Sequence, residues 1–208
     1  LGAIEVCLNG DCDAAALHLQ GTEPVAHEDV EATGLTIGTC PGGAIAPTFT
    51  FTESFTVGQA LLGLNLDHTE RRGISATLQS PAGTTAGLIT PQDNDLLTQR
   101  NYDVYLDDSA PGALHPHLGD DDIAAPYYDR VARPSAPLDA FRGESANGTW
   151  TLTLCDVLTD TTGTYHRARL ELHPQDTTDR DGPWSHEFTD LGTLDNVTHT
   201  VAVTPTDL

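Results

Sequence analysis

The sequence predicts an all-β protein built around an antiparallel, jelly-roll-like β-sandwich, and two observations lead to this prediction. Short runs such as TFTFTESF and WTLTLCD alternate apolar with polar residues, a two-residue period typical of strands with one buried face. Gly, Pro, Asp and Asn, which favour turns, separate these runs, and helical periodicity is almost absent. We expect the sandwich to be flanked by an N-terminal stapled hairpin and a C-terminal strand extension.

The N-terminal hairpin is predicted from the hexapeptide CLNGDC, residues 7–12. Asn9-Gly10 favours a two-residue type I′ turn, because both central residues of that turn need positive φ. In this register Cys7 faces Cys12 at a separation that a disulfide tolerates. Two free thiols and a bound metal are the alternatives, although no second cysteine pair at zinc spacing follows. We predict a Cys7–Cys12 disulfide.

The other two cysteines, Cys40 and Cys155, are predicted to pair with each other. A total of 4 cysteines is even, which together with a stapled hairpin indicates an oxidising compartment. Four cysteines allow three connectivities, and the local hairpin geometry favours this one. Cys155 lies on the non-core face of its strand, so it is free to hold the segment around Cys40 against the outside of the sandwich.

The chain is predicted to divide into three parts. Residues 1–45 contain the stapled hairpin and a segment with its own strand-like runs, residues 46–173 carry the regular alternation, and residues 174–208 contain a polar spacer and further strand-like runs. Trp150 falls on the inward face of its run and is expected to be buried. In the central part we expect strands near residues 48–56, 60–67, 74–79, 86–90, 102–106, 149–155 and 165–172.

The composition excludes several classes of function. The formal net charge is −22, from 31 acidic and 9 basic residues, so nucleic acid is a poor partner because phosphate binding needs a basic face. No apolar run approaches the ~20 residues of a membrane span. The chain begins at Leu1 without a charged and then apolar leader, so we expect an extracellular or cell-surface protein whose signal peptide has been removed.

Three ordered stretches carry a family resemblance: DHTERRGISATLQSPAGT, NYDVYLDDSAP, and RPSAPLDAFRGESANGTWTLTLCDVLTDTTGTYHRARLEL. In order and spacing, residues 48–172 resemble the P domain (homo B domain) of proprotein convertases and bacterial subtilisin-like proteases. The resemblance implies a β-sandwich accessory to a protease. One departure is clear: Gly73 stands where the family usually has an aspartate, which puts the role of that aspartate in doubt here.

Catalytic residues are not predicted, because the Asp-Thr-Gly, His-Gly-Thr and Gly-Thr-Ser motifs of subtilisins are missing. GESAN around Ser145 superficially resembles a nucleophile elbow but lacks its final glycine. His68, at the family's histidine position, is expected to make a structural hydrogen bond rather than to act as a base. His115 and His117 offer two imidazoles to a metal, but no third nitrogen ligand is implied, and a solvated loop is favoured. We predict a protein that is not an enzyme.

Acidic loops supply possible calcium ligands at Asp107, Asp108, Asp156 and Asp160. Calcium prefers carboxylate and carbonyl oxygens, and the resemblance adds weight because P-domain-like sandwiches often carry calcium. The alternative is that a chain with this net charge has acidic loops everywhere. Calcium is therefore the one cofactor that the sequence suggests.

Three functions remain after these exclusions. The favoured one is a self-associating subunit of a cell-surface filament or layer, in which the C-terminal strand pairs with a neighbour through Val197, Val201 and Val203. The second is an accessory P domain, stabilising or substrate-targeting, of a secreted subtilisin-like protease. The third is a surface adhesion module, although an aromatic content of 6% offers no aromatic platform. The expected partner is another copy of the chain or another extracellular protein.

Overall fold

Two units make up the chain, and the computed structural model describes residues 2–8, 11–17, 23–91 and 99–175, the first two ranges by their backbone alone. The described part of the first unit is a hairpin of β1 (Gly2–Leu8) and β2 (Asp11–Leu17). Its register pairs Leu8 with Asp11 and Cys7 with Cys12, as the two-residue turn predicts. The side chains of both cysteines lie outside the described part, so their disulfide stays a prediction.

The second unit is a β-sandwich of two sheets, which confirms the predicted all-β fold. The five-stranded sheet has the order β3 (Val25–Ile37), β11 (Gly163–Pro174), β5 (Val57–His68), β8 (Tyr102–Leu106), β9 (Arg130–Ala132). The four-stranded sheet has the order β4 (Thr48–Phe51), β10 (Gly148–Asp156), β6 (Ile74–Gln79), β7 (Thr85–Ile89). Neighbouring strands are antiparallel except β8 and β9, which run parallel. Two 3-10 helices, Arg71–Gly73 and Leu138–Phe141, lie between strands.

Apolar side chains from both sheets fill the space between them, and Trp150 lies in this core. Its side chain is fully buried, its indole N–H donates to the Ala146 carbonyl at 3.0 Å, and its ring meets the ring of Phe141 with centroids 5.1 Å apart. The inward positions read from the alternation are buried as well: Phe49, Phe51, Leu62, Leu64, Leu66, Ile74, Ala76, Leu78, Leu152, Leu154, Ala168, Leu170 and Leu172. A two-residue period therefore identified the core side of each of these strands.

The strand β3 differs from the expectation. The sequence pattern places residues 25–37 in an N-terminal segment, whereas the structure pairs β3 with β11 at the edge of the five-stranded sheet. His27 packs its ring edge-on against Phe51, with centroids 4.5 Å apart, and the Asp29 carboxylate accepts a hydrogen bond of 2.8 Å from the Tyr165 hydroxyl. These side chains are polar, so the apolar alternation that marks the other strands is missing from β3.

A disulfide joins Cys40 to Cys155, with the two Cα atoms 5.1 Å apart. It attaches the segment after β3 to the side of β10, where the Cys40 N–H also donates to the Asp156 carbonyl at 2.8 Å. The predicted pairing and its role in holding the Cys40 segment are both confirmed.

Candidate functional site

The ends of β5 and β10 bring together a buried histidine and a buried carboxylate from different sheets. His68 Nε2 lies 3.0 Å from Asp156 Oδ2, and both side chains are almost completely inaccessible. The other ring nitrogen, Nδ1, accepts the Glu70 backbone N–H at 3.0 Å. Because Nδ1 is an acceptor, the neutral ring carries its proton on Nε2 and donates it to Asp156. Both nitrogens of His68 are therefore used inside the fold.

The Asp156 carboxylate is fully engaged as a hydrogen-bond acceptor. Its Oδ1 accepts the Leu158 N–H at 2.8 Å, and its Oδ2 accepts the Thr161 hydroxyl in addition to His68. These bonds close the turn between β10 and β11. Burial of a carboxylate is costly unless it is bonded in this way, so Asp156 is suited to holding a turn rather than to binding a substrate.

Gly73, which stands where the family usually has an aspartate, lies directly against the Asp156 carboxylate. A Cβ atom at Gly73 would meet Asp156 Oδ1 and would lie 2.9 Å from Leu158 Cδ1. No side chain fits between the 3-10 helix and the turn, because the Asp156 carboxylate already fills this space. Here Asp156, which accepts bonds from His68 and from its own turn, joins β10 to the end of β5.

A second polar cluster surrounds Arg71 and fastens the long loop between β8 and β9. The buried Arg71 guanidinium donates to the carbonyls of His117 at 2.6 Å and Gly119 at 2.9 Å, and it lies 3.9 Å from the Asp121 carboxylate. Arg130 binds the two oxygens of Asp121 in parallel, each at 2.7 Å. Paired bonds of this kind fix orientation as well as distance, so the loop is held in a defined position.

The same loop covers the outer face of the five-stranded sheet with Tyr128. The ring lies over Gly63, where a Cβ atom would be 2.8 Å from Tyr128 Cγ, and Tyr128 itself has a positive φ of 65°. Its N–H and the Asn65 side-chain amide donate to Asp103 Oδ1 at 2.9 and 2.7 Å. Burial raises the pKa of the Asp103 carboxyl, although both hydrogen bonds oppose that rise.

Tyr128 also reaches the edge strand, where its hydroxyl donates to the Glu28 carboxylate at 2.8 Å. Burial raises the pKa of this phenol, and the bond to Glu28 raises it further. The hydroxyl therefore stays protonated and remains a donor. One side chain thus connects β3, β5 and the loop.

Ser145, His115 and His117, which were considered for catalysis or metal binding, each contact different residues. Ser145 is exposed and its backbone forms a bridge with Thr56, as expected of a structural turn. His115 Nε2 lies 3.2 Å from the Tyr102 hydroxyl, and His117 Nε2 lies 3.5 Å from Asp121. Among hydrogen bonds between described residues, none joins a serine hydroxyl to a histidine ring.

The aspartates considered for calcium are used within turns and caps. Asp107 accepts the backbone and hydroxyl protons of Ser109, each at 2.8 Å, and Asp108 accepts the first N–H groups of the 3-10 helix Leu138–Phe141. Asp160 is exposed. Within residues 23–91 and 99–175, no three His, Cys, Asp or Glu side chains are placed to hold a metal ion. Calcium binding by Asp107, Asp108, Asp156 and Asp160 therefore stays a prediction.

The residues considered for self-association, Val197, Val201 and Val203, lie outside the described residues, and this role also stays a prediction. No helix in the described part of the chain combines the length and apolar character needed to cross a bilayer.

Comparison with known families identifies the sandwich. Residues 57–172 match the family described as Proprotein convertase P-domain, which is more than half of the chain's 208 residues. The chain belongs to the proprotein convertase P-domain family. The match spans both polar clusters of this P domain, those around His68 and Arg71, whereas β3 and Cys40 precede it.

No protein of curated function matches the chain significantly. A crystal structure of the serine protease of Aeromonas sobria is similar at 20% identity and a TM-score of 0.47, over 76% of this chain and 28% of that protein. The complex of the Aeromonas sobria serine protease with its chaperone is similar at 16% identity and a TM-score of 0.48, over 84% and 36%. The P domain thus spans well under half of each of these two Aeromonas sobria chains. Structural similarity at these TM-scores adds nothing to the family assignment.

Proposed function

We propose that this P domain is an extracellular, non-catalytic accessory module that stabilises a subtilisin-like serine protease domain. The family match over residues 57–172 supports this proposal. The geometry is consistent with it. His68, at the family's histidine position, and Asp156 are both buried, and they form hydrogen bonds with each other and with the neighbouring turns. The proposal therefore assigns catalysis to the protease domain.

Stabilisation follows from mass action. A module that binds the folded protease domain and not its unfolded chain lowers the free energy of the folded state by an amount that grows with the module's concentration. A rigid module loses little conformational entropy when it binds. The sandwich fulfils this condition through its apolar core and the Cys40–Cys155 disulfide, which survives in an oxidising medium.

The test uses the 208-residue chain and the catalytic domains of the subtilisin-like proteases that its source organism secretes. Each catalytic domain is heated with increasing amounts of the P domain, and its remaining activity on a peptide substrate is followed. We expect slower inactivation that saturates with P-domain concentration, and co-elution of the two proteins in gel filtration. The matched control is the Trp150→Ala variant, whose core is disrupted. The proposal would be refuted if the catalytic domain lost activity at the same rate with and without excess P domain and the two proteins did not co-elute.

The non-catalytic part is tested on its own. A non-catalytic module should hydrolyse no peptide, ester or glycoside substrate above background, and the purified chain is assayed on all three. A reproducible hydrolysis that disappears in Ser145→Ala would show that the chain is an enzyme. His68→Gln is the companion variant, and it should alter thermal stability alone.

A further inference from the structure

Arg133 and Ser135 line a surface pocket of about 290 Å³ beside the end of β7. The backbone around them is fixed on both sides. The Leu114 N–H donates to the Arg133 carbonyl at 2.8 Å, the Arg133 N–H donates to the Gly112 carbonyl at 2.8 Å, and the Ser135 N–H donates to the Leu88 carbonyl at 2.8 Å. The two side chains therefore project from a held backbone and need no main-chain rearrangement to meet a ligand.

Arg133 is one of two described arginines whose side chains form no ion pair with a described carboxylate. Six others form ion pairs with aspartate or glutamate: Arg71, Arg72, Arg130, Arg142, Arg167 and Arg169. The exposed Arg133 has no carboxylate partner within the described residues, although the chain contains 31 acidic residues. Its guanidinium group carries five N–H donors, and Arg133 is one of the residues that line the pocket.

Ser135 adds one more donor to the same pocket. Its oxygen accepts two hydrogen bonds from Thr90, from the backbone N–H at 3.3 Å and from the hydroxyl at 3.2 Å. A hydroxyl oxygen accepts two bonds and donates one. Both acceptor positions are filled, so the Ser135 hydrogen is directed away from Thr90, and no described residue accepts it. The pocket presents a planar cationic fork and a hydroxyl donor, and none of the described residues that line it is acidic.

We propose that this pocket binds a carboxylate group, held by two parallel bonds from Arg133 and a third from Ser135. An arginine fork matches the two oxygens of a carboxylate in spacing and plane. The volume suits one small acid, either the last residue of a peptide or an acidic side chain. The net charge of −22 opposes long-range attraction of anions, so affinity depends on the contacts at Arg133. This inference does not depend on the proposed function.

The test is a titration of the isotope-labelled chain with N-acetylglycine, followed by backbone amide NMR at constant ionic strength. N-acetylglycinamide, which has the same shape but no carboxylate, is the matched control ligand. We expect saturable shifts at residues 90, 114, 133 and 135 with the acid and none with the amide. Shifts that do not saturate, or that are equal for both ligands, would overturn the proposal.

Variants separate a built site from general electrostatics. Arg133→Gln should weaken N-acetylglycine binding about tenfold or more, because it removes charge-assisted hydrogen bonds, and Ser135→Ala should weaken it less. Arg100→Gln is the matched control, since the Arg100 side chain is also exposed and also forms no ion pair with a carboxylate of the described residues. Unchanged binding in Arg133→Gln, or an equal loss in Arg100→Gln, would show that the pocket is not the site.

Two peptides identify the source of the carboxylate. One ends in a free carboxylate and contains no acidic side chain, and the other is amidated at its end and contains one glutamate. Tighter binding of the first identifies a peptide terminus as the ligand, and tighter binding of the second identifies an acidic side chain. Binding of neither, at concentrations where N-acetylglycine saturates, would limit the pocket to small free acids and refute its role towards proteins.

Discussion

The core between the sheets and the loop between β8 and β9 are held by different forces. Apolar side chains at alternate positions fill the core, and Trp150 is the largest of them. The loop has little regular structure and is fastened by hydrogen bonds from Arg71, Arg130 and Tyr128. Core stability depends on volume, whereas loop stability depends on the geometry of individual polar contacts. Substitutions in the two regions should therefore differ in size and in the part of the molecule that they release.

The largest effect is expected in the core. Trp150→Ala should lower the free energy of unfolding by about 3–5 kcal/mol, because it removes a fully buried ring and leaves a cavity. Urea denaturation followed by circular dichroism measures this loss across the whole sandwich. A loss below about 1 kcal/mol would mean that the tryptophan lies at the surface.

A smaller loss is expected at the loop's buried cation. Arg71→Ala should cost about 2–3 kcal/mol, because it removes charge-assisted bonds to two carbonyls while Asp121 keeps Arg130. Limited proteolysis should then cut between residues 107 and 129 before the core unfolds. Arg72→Ala is the control, since its ion pair with Glu70 is partly exposed to solvent and is worth about 1 kcal/mol or less. Equal losses in the two variants would contradict the structural role of Arg71.

The covering of the sheet by Tyr128 gives the next prediction. Gly63→Ala should cost about 1–3 kcal/mol, because the new methyl group occupies the position of the Tyr128 ring. Hydrogen exchange should accelerate in residues 121–130 more than in β10. Gly112→Ala should have almost no effect, since no atom lies within 4 Å of a Cβ there. Uniform acceleration throughout the sandwich would instead place the strain in the core.

The smallest effect is a change in pH dependence at Asp103. Burial raises the pKa of this carboxyl above its ordinary value of 3.8, while the bonds from Tyr128 and Asn65 oppose the rise. The folded state therefore holds the proton more tightly, and this contribution to stability is complete below pH 3.8 and is lost as the pH rises through the folded pKa.

Asp103→Asn keeps an oxygen that accepts both hydrogen bonds and removes the titration. The stability of the variant relative to the natural chain should increase as the pH rises through this window and level off above it. Urea unfolding of both proteins between pH 3 and 7 measures the difference. A difference that stays constant, or that falls with pH, would contradict the raised pKa.

The strands that carry the core could be predicted from the sequence, because the alternation of apolar and polar residues that marks them is a local pattern. Alternation predicts the inward positions of Trp150 and the leucines, and the Asn9-Gly10 pair predicts the register in which β1 and β2 pair. The loop contacts could not be read in this way, since Arg71 bonds to a carbonyl 48 residues further along the chain. Arginine is a residue type usually found at the surface, and only the fold shows that Arg71 is buried.

Only part of the candidate site could be predicted from the sequence. The position of His68 predicts a structural hydrogen bond, but the sequence pattern does not identify its partner Asp156, which is 88 residues away. Asp108 similarly accepts N–H groups about 30 residues away. A run of acidic residues in the sequence indicates negative charge, but the groups that donate hydrogen bonds to these carboxylates come from distant parts of the chain. Arg133 and Ser135 were missed because a missing partner leaves no sequence motif.

The Cys40–Cys155 disulfide has a consequence for cleaved forms of the molecule. The bond encloses a segment in which the two cysteines are separated by 115 residues, and this segment contains the whole loop between β8 and β9. One cut anywhere inside the enclosed segment leaves the two fragments covalently joined. A P domain nicked once in this loop would therefore keep its full mass on a non-reducing gel, and it would separate into two bands only after reduction.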